Sequence, residues 1–276
     1  MMQRQFGFAI LLMAIILGAC TATRFSLSRQ IAQIELLEHI PVEKQYDKAL
    51  FDPLSGSVYA LSKVRQQIDI YRAGKLFNTL GGLGMQSYNF QRLADIAIDS
   101  DGSLLALDMM AKDLRRFSPE GQLAGRLELS QLAMPELLAM NPDHNLFIYD
   151  AAPQEIVCIS MLDGSELYRF GRFQIKAPSS LGCTADYLTI YSLESARTDM
   201  YYIYGQFKES RLGQQLVDGY DNRIQMQDMG MAAADSAFGM AVSPQAGIAS
   251  LYRHHISVVY PDAISIHRIS YGGSSR

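Results

Sequence analysis

The sequence has only three cysteines, Cys20, Cys158 and Cys183, and none belongs to a C-x-x-C pair. This scarcity excludes a disulfide-rich scaffold, and the spacing fits neither a redox dithiol nor a structural zinc site. Cys158 and Cys183 lie in strand-like segments of neighbouring sequence units. We therefore expect two buried free thiols here and not a disulfide.

Basic clusters are also absent from the chain. Its 24 Lys and Arg residues stand against 28 Asp and Glu residues, for a formal net charge of -4. Because a mildly acidic surface repels phosphate backbones, nucleic acid is excluded as a partner. Hydrophobic residues make up 49% and charged residues 19%, which indicates a packed globular body.

The chain lacks an apolar run of the length that spans a bilayer. The run from Phe6 to Leu17 has 12 residues, whereas a spanning helix needs about 20. Arg4 precedes this run and the small residues Gly18-Ala19 follow it, which is the order found in a secretory signal peptide. We predict that residues 1–19 are a signal peptide that is removed.

Cys20 directly follows Leu17-Gly18-Ala19, and this segment resembles the lipobox of bacterial lipoproteins. The resemblance implies that the Cys20 thiol carries a diacylglycerol and that its new amino group is acylated. Two or more acyl chains give stable membrane anchorage, since each buried methylene contributes about 0.8 kcal/mol. The alternative is an ordinary secretory signal with a chance cysteine. In a Gram-negative host, Thr21 in place of Asp implies the periplasmic face of the outer membrane.

The rest of the chain repeats at a regular spacing. Strand-like segments that we interpret as the second strand of each unit begin near Ser57, Ser103, Asn145, Tyr187 and, most weakly, Gly247. A third strand begins 10 residues later in the first three units, near Gln67, Asp113 and Glu155. A period near 42 with four short strands per unit is typical of a β-propeller blade. An irregular two-sheet β-sandwich is the alternative, although sandwiches do not repeat in this way.

One unit has a closer likeness to a known family. A glycine-rich run at 81–84 leads to Ile96-Ala97-Ile98-Asp99, the turn Asp101-Gly102 and the Arg-bearing strand 114–117. This order resembles the NHL-type propeller repeat, and the match covers about one unit. Leu93-Ala94 replaces the usual Pro, and Met109-Met110-Ala111 replaces the usual small polar turn. The chain has no tryptophan, which argues against a WD-type propeller.

These observations predict an all-β chain with three parts. Residues 1–19 are the signal peptide, residues 20–33 are the lipidated Cys20 and a tether, and residues 34–276 are a propeller of about five, or six, four-stranded blades. Ile34, Leu36 and Ile40 alternate as in a strand that could close the ring against the last blade. The 60-residue step before the last unit predicts an insert around Phe207 to Met231.

Candidate polar sites are few. Asp52, Asp99, Asn141 and Asp186 recur near the end of the first strand of their units, where they could form a carboxylate ring for Ca²⁺ or simply initiate turns. His254-His255 would point to opposite faces of a strand, so we expect structural or exposed histidines. There is no G-x-S-x-G elbow and no phosphate-binding G-x-G-x-x-G. We predict no catalytic residue, no metal site and no cofactor.

Two groups of large side chains could make contacts with partners. Met226, Met229 and Met231 are either an adaptable contact surface or the buried edge of a loop. Tyr201, Tyr202 and Tyr204 fall on one strand, where core or rim packing is favoured over a role as binding anchors.

The sequence therefore predicts a lipid-anchored, non-enzymatic envelope propeller that acts as an interaction or assembly module. Its expected partners are the membrane, through the N-terminal lipid, and other envelope proteins. One alternative is a metal-dependent propeller hydrolase or lyase. Another is a sensor for a small ligand or a glycan.

Overall fold

A computed structural model describes residues 29–83, 89–228, 237–242 and 247–272, and within them the chain is all-β. The first strand, β1 (Ile31–Pro41), lies far in sequence from the strand that it pairs with. Blade 1 contains β2 (Lys48–Asp52), β3 (Ser57–Ser62), β4 (Gln67–Arg72) and β5 (Lys75–Gly81). Blade 2 contains β6 (Leu93–Ile98), β7 (Leu104–Asp108), β8 (Asp113–Phe117) and β9 (Leu123–Glu128).

The next two blades have the same antiparallel order. Blade 3 contains β10 (Pro135–Met140), β11 (Asn145–Asp150), β12 (Glu155–Ser160) and β13 (Glu166–Phe170). Blade 4 contains β14 (Ser180–Cys183), β15 (Tyr187–Ser192), β16 (Arg197–Tyr202) and β17 (Phe207–Leu212). The predicted strand starts at Ser57, Asn145 and Tyr187 are confirmed, and the start near Ser103 is confirmed to within one residue.

A smaller sheet follows blade 4. It contains β18 (Gln215–Val217), β19 (Arg223–Asp228) and β20 (Ala237–Val242), of which the last two pair in parallel. Blade 5 then contains β21 (Ala249–Tyr252), β22 (His255–Val259), β23 (Ala263–Tyr271) and β1. The fold is a β-propeller, a ring of five four-stranded blades in which the small sheet lies between blades 4 and 5.

The predicted insert around Phe207 to Met231 is wrong. The strand that begins at Phe207 is the outer strand of blade 4, and β18 and β19 belong to a sheet of the ring. The described part of this sheet has three strands, and β18 has only three residues. The segment at Gly247 was also misplaced, because it leads into the first strand of its blade and not the second.

The prediction that an N-terminal strand closes the ring is confirmed. β1 pairs antiparallel with β23, with Ile34 opposite Ile269 and Ile40 opposite Ile264. The last blade is therefore built from both ends of the described chain. The N-terminal strand supplies the outer strand of this blade, so β23 is paired on both sides.

Hydrophobic cores lie between neighbouring blades, and the strand period explains how one strand serves two of them. In β7, Leu104 and Ala106 pack toward blade 1, whereas Leu105 and Leu107 pack toward blade 3. Successive side chains point to opposite faces of a strand, so a strand covered on both faces is apolar throughout. Full burial of each such leucine contributes about 1.5–3 kcal/mol.

Within the described residues, no helix has the length and apolar character needed to cross a bilayer. Residues 1–28, which include the predicted signal peptide and Cys20, lie outside the described part of the chain.

Candidate functional site

The innermost strands of the ring surround a central cavity of about 380 Å³. Each of them contributes at least one apolar residue to its wall, among them Leu50, Ile98, Leu138, Leu181, Leu216 and Leu251. In the described sheets, each innermost strand pairs on one side only. Its other backbone edge therefore faces the cavity, where side chains or a bound molecule can satisfy its polar groups.

A buried ion pair links three blades at this wall. The Lys48 Nζ of β2 lies 2.8 Å from the Asp95 Oδ1 of β6, and it also donates to the Ile96 carbonyl at 2.8 Å. The other carboxylate oxygen of Asp95 accepts from the backbone N–H of Leu138, in β10, at 3.0 Å. Asp95 is buried. The pair thus connects blades 1, 2 and 3 through groups that would otherwise be unpaired.

A glutamine makes an equivalent link between the small sheet and blade 5. The Gln214 amide donates to the Ala249 carbonyl at 2.7 Å and accepts from the Ala249 backbone N–H at 2.9 Å. This two-bond pairing imitates a strand partner and joins the residue before β18 to β21. Both links fix the cavity wall, because a side chain makes the hydrogen bonds to the strand backbone that a neighbouring strand would make within a sheet.

The cavity opens at the end of the ring where the innermost strands end. Ser100, Gly219 and Arg253 line it there and are exposed. The Tyr252 hydroxyl donates to the Asp99 carbonyl at 2.7 Å, and Arg253 donates to the Ser100 carbonyl at 2.7 Å. Blade 5 thereby reaches across blade 1 to blade 2. These two bonds form a strap along one side of the opening.

The described chain enters at this same end, which we call the entry face, defined by the turns at 53–56, 99–103, 141–144, 184–186 and 218–222. Ile31 pairs with Tyr271 at the end of β23. The Arg29 carbonyl accepts from the Asn222 side chain at 2.7 Å, and the Arg29 guanidinium lies 5.5 Å from the centre of the Tyr220 ring.

The recurring Asp and Asn residues of the entry face are turn residues. Asp52 and Asn141 accept hydrogen bonds from backbone N–H groups two to four residues later in the chain. Asp99 accepts from the next backbone N–H and pairs with Arg116 at 3.1 Å. In blade 4 the turn residue is Thr184 and not the predicted Asp186. The turn interpretation is confirmed for the first three residues.

Among the described side chains, no three His, Cys, Asp or Glu residues converge in a way that could hold a metal ion. His254 lies exposed in the turn before β22, whereas the His255 ring packs edge-on against Phe51 at 4.9 Å. The two histidines therefore have separate surroundings, as predicted. Burial lowers the pKa of His255 and of His267, and partial burial lowers the pKa of His254.

One polar chain on the entry face was missed by the sequence reasoning. The Tyr271 hydroxyl donates to Asp218 Oδ2 at 2.8 Å, and the His254 Nδ1 lies 3.1 Å from the same hydroxyl. Since the hydroxyl proton goes to the carboxylate, Nδ1 is the donor of the second bond and Nε2 is left as an acceptor. Burial raises the pKa of Tyr271. These residues come from three strand ends, and no local motif indicates their contact.

The two described cysteines are free, as predicted. Cys158 is buried in the core between blades 3 and 4, whereas Cys183 is half-buried and lines the central cavity. Burial raises the pKa of both thiols, so both are protonated at neutral pH.

The large side chains that were singled out divide between core and surface. Tyr201 is buried, so the packing interpretation is confirmed for it, but Tyr202 is partly exposed and Tyr204 is exposed. Tyr204 lies after β16 and not on that strand. Met226 packs against the core between the small sheet and blade 5. Met229 and Met231 lie outside the described residues.

Opposite the entry face lies the distal face, which is formed by the four-residue turns between the second and third strands of blades 1 to 4. The last residue of each turn has a left-handed backbone: Gln66, Lys112, Gln154 and Ala196. The shared conformation holds the turn tips in equivalent positions. Three of these tips carry exposed apolar side chains, Val64 at 83%, Met110 at 60% and Leu193 at 61%.

Comparison with known proteins supports the fold and no more. No family model and no curated protein matches the chain. A catalytically inactive virginiamycin B lyase from Staphylococcus aureus, with quinupristin, matches at a TM-score of 0.50 and 11% identity over 83% of both chains. A selenomethionine-substituted form of that lyase matches at 0.50 and 12%, again over 83% of both. At this identity the likeness shows a shared propeller architecture only.

Proposed function

We propose that this chain is a lipid-anchored protein of a bacterial envelope and that its propeller is an interaction or assembly module for other envelope proteins. The observation that carries the module proposal is the distal face, where equivalent turns of blades 1, 2 and 4 present exposed apolar tips. Exposed apolar groups on one face are typical of protein contact surfaces. A fold alone would not support this choice.

The entry of the chain supports the orientation that the proposal requires. Only ten residues separate Cys20 from Ile31, which limits the distance between these two residues to about 40 Å. Because the described chain enters at the entry face, a lipid on Cys20 would hold that face nearer the bilayer. The distal face would then be directed toward other proteins.

Metabolic labelling with a radioactive fatty acid tests the anchor. The wild-type chain, expressed in a Gram-negative host, should incorporate label and remain with the membrane fraction. The variant Cys20→Ser should lose both properties, whereas Cys158→Ser should keep them because that thiol is buried in the core. Equal labelling of wild type and Cys20→Ser would reject lipidation at this residue.

The module proposal is tested with variants of the two faces. The triple variant Val64→Ser, Met110→Ser and Leu193→Ser removes the apolar tips of the distal face without touching a core. The matched control, Leu54→Ser with Leu162→Ser, removes exposed apolar groups from turns at the opposite end of the blades.

In crosslinking on intact cells, a stoichiometric partner identified by mass spectrometry should be lost with the triple variant and retained with the control. A wild-type chain that forms no specific crosslink would reject the module proposal. So would a partner that both variants retain.

A further inference from the structure

A second cavity opens on the distal face, beside the starts of the innermost strands of blades 2 and 3. Its volume of about 530 Å³ falls within the range of about 300–1,000 Å³ that is typical of binding pockets. Apolar residues of three blades line it, among them Val64, Leu93, Met109 and Leu137. The exposed tip at Val64 therefore borders a concave surface that an apolar side chain of a partner can enter.

The charged residues that line this cavity are the bases Lys63 and Arg92 and the acid Glu136. Lys63 and Arg92 are exposed, and neither side chain forms an ion pair within the described part of the chain. Asp47 accepts from the backbone N–H of Lys63 at 2.7 Å. Two cationic groups are therefore available to an anionic group of a partner.

The loops around this cavity carry one sign of charge. Backbone bonds from Met109 to Arg92 and from Ala151 to Met134, both 2.9 Å, place the loops between blades beside the turns of the distal face. We call the described turns and loops of this face at 63–66, 82–83, 89–92, 109–112, 129–134, 151–154 and 171–179 the basic sector. It contains no Asp or Glu, and its six basic residues are Lys63, Arg65, Arg92, Lys112, Arg172 and Lys176.

An acidic residue at an adjoining strand end does not cancel this charge at the surface. Asp108 is buried, and it accepts from the backbone N–H groups of Gln91 and Arg92 at 2.7 and 2.9 Å. It also pairs with Arg115 at 3.3 Å. The Asp108 carboxylate is thus used within its own blade.

The entry face has the opposite sign of charge. The turns that define it contain no Lys or Arg, and their six acidic residues are Asp99, Asp101, Asp143, Asp186, Asp218 and Asp221. The charges of the ring are therefore separated between its two ends. The net charge of the whole chain is -4, yet the field near the basic sector favours anions.

From these observations we infer that the partner segment that docks on the distal face is acidic and has an apolar centre. Its apolar side chain enters the cavity beside Val64 and Met109, and its carboxylates pair with Lys63 and Arg92. This inference rests on the module proposal above and specifies the chemistry of the segment that the module binds. Complementary charges of this kind select the partner and speed its encounter more than they add to affinity.

An anionic membrane is a different occupant with the same sign of charge. The described chain enters at the entry face, so the proposed lipid on Cys20 directs that face, and not the basic sector, toward its bilayer. A protein segment also supplies the apolar side chain that the cavity walls favour. These two points favour the protein segment.

Fluorescence anisotropy on the full chain with three labelled peptides tests the inference. The peptides share a central Leu-Leu-Phe, which is flanked on both sides by three residues of Glu, Ser or Lys. The acidic peptide should bind with a Kd on the order of 0.1 mM, and added salt should weaken it. The neutral peptide should bind about tenfold more weakly, and the basic peptide more weakly still.

Variants of the lining residues locate the contacts. Lys63→Glu and Arg92→Glu should each weaken binding of the acidic peptide about tenfold. Glu136→Gln removes the one acidic group of the lining, so it should strengthen binding about threefold. Lys75→Glu is the matched control, since Lys75 is exposed on the outer strand of blade 1, and it should bind as wild type.

The inference is overturned if wild type binds the acidic peptide no better than the neutral one. It is also overturned if folded Lys63→Glu and Arg92→Glu both bind the acidic peptide as wild type does. Binding to phosphatidylglycerol vesicles that both variants lose, without binding of the acidic peptide, would overturn it in favour of a membrane. Should the charge reversals prevent folding, the expected gain in Glu136→Gln decides the matter, and no gain overturns the inference.

The crosslinking experiment separates this inference from the module proposal. If a partner is lost with the triple variant while no peptide is preferred, the module proposal stands and the acidic segment is rejected. If the acidic peptide is preferred while intact cells give no crosslink, the chemistry of the sector is supported and the module role is rejected.

Discussion

The buried ion pair between Lys48 and Asp95 gives the sharpest test of how the cavity wall is held together. Breaking such a pair by removing one partner costs about 3–5 kcal/mol, because the remaining charge is buried without compensation. In Lys48→Met, the carboxylate keeps its bonds from the backbone N–H groups of Ile96 and Leu138. We therefore expect the lower end of that range, a loss of about 3 kcal/mol.

Asp95→Leu should lower the free energy of unfolding by more, about 5 kcal/mol, because it leaves the Lys48 ammonium without a counter-ion and the Leu138 N–H without an acceptor. The double variant contains no buried charge. It should lose about 3 kcal/mol, chiefly from backbone groups that have lost a partner. The double variant is then several kcal/mol more stable than the sum of the single changes predicts.

Equilibrium unfolding in urea measures these differences through the transition midpoint at constant slope. Glu35→Gln is the control. Glu35 pairs with Arg268 at the surface, so this change should lower the free energy of unfolding by less than about 1 kcal/mol. If Lys48→Met costs less than about 1 kcal/mol, the buried pair does not hold the wall. If the stability losses of the two single variants sum to the loss of the double variant within about 0.5 kcal/mol, the two groups are not coupled, and that result also refutes the reasoning.

Three further predictions concern stability and reactivity. Burial lowers the pKa of His255 and His267, so the unfolded chain binds protons more readily than the folded chain as the pH falls below about 6.5. The Tm should therefore be lower at pH 5.5 than at pH 7.5, and His267→Leu should reduce that difference. A Tm that does not change with pH would contradict this prediction. Gly121→Ala should lower the free energy of unfolding in urea by more than about 1 kcal/mol, because φ is +86° and the new Cβ would lie 2.7 Å from Asn78 Nδ2. Gly56→Ala, at φ +65° with no atom near the new Cβ, should lower it by less, and equal losses would refute the contribution of the steric contact. Burial raises the pKa of the Cys183 thiol, so Cys183 should be alkylated more slowly at pH 8 in the folded protein than in urea, and equal rates would argue against a raised pKa.

The repeating strands could be predicted because their signal is local. Segments such as 104–107 and 146–149 are apolar throughout, since both of their faces are buried between blades, and their spacing is set by the blade itself. The small sheet could not be predicted in this way. Its strands β19 and β20 pair in parallel across a segment outside the described residues, so it departs from the hairpin pattern on which the spacing argument depends.

The cavity was harder to predict than the ring. Lys48 and Asp95 are separated by 47 residues, and Gln214 and Ala249 by 35, so each contact joins positions of different sheets. Those contacts follow only when the register of each innermost strand is known. The turn role of Asp52 and Asn141 was accessible from the sequence because those residues bond to their own neighbours.

The pairing of β1 with β23 also sets the order of events when the chain folds. Glu35 and Arg268, which face each other across this pair, lie 233 residues apart in sequence. Blades 1 to 4 consist of consecutive hairpins and can form as the chain emerges, whereas the last blade must wait for residues 263–271. Until then β1 remains an unsatisfied edge with apolar residues, open to proteases and to other chains. A chain truncated before residue 263 should accordingly be cut within β1 under limited proteolysis, while the full chain is protected there.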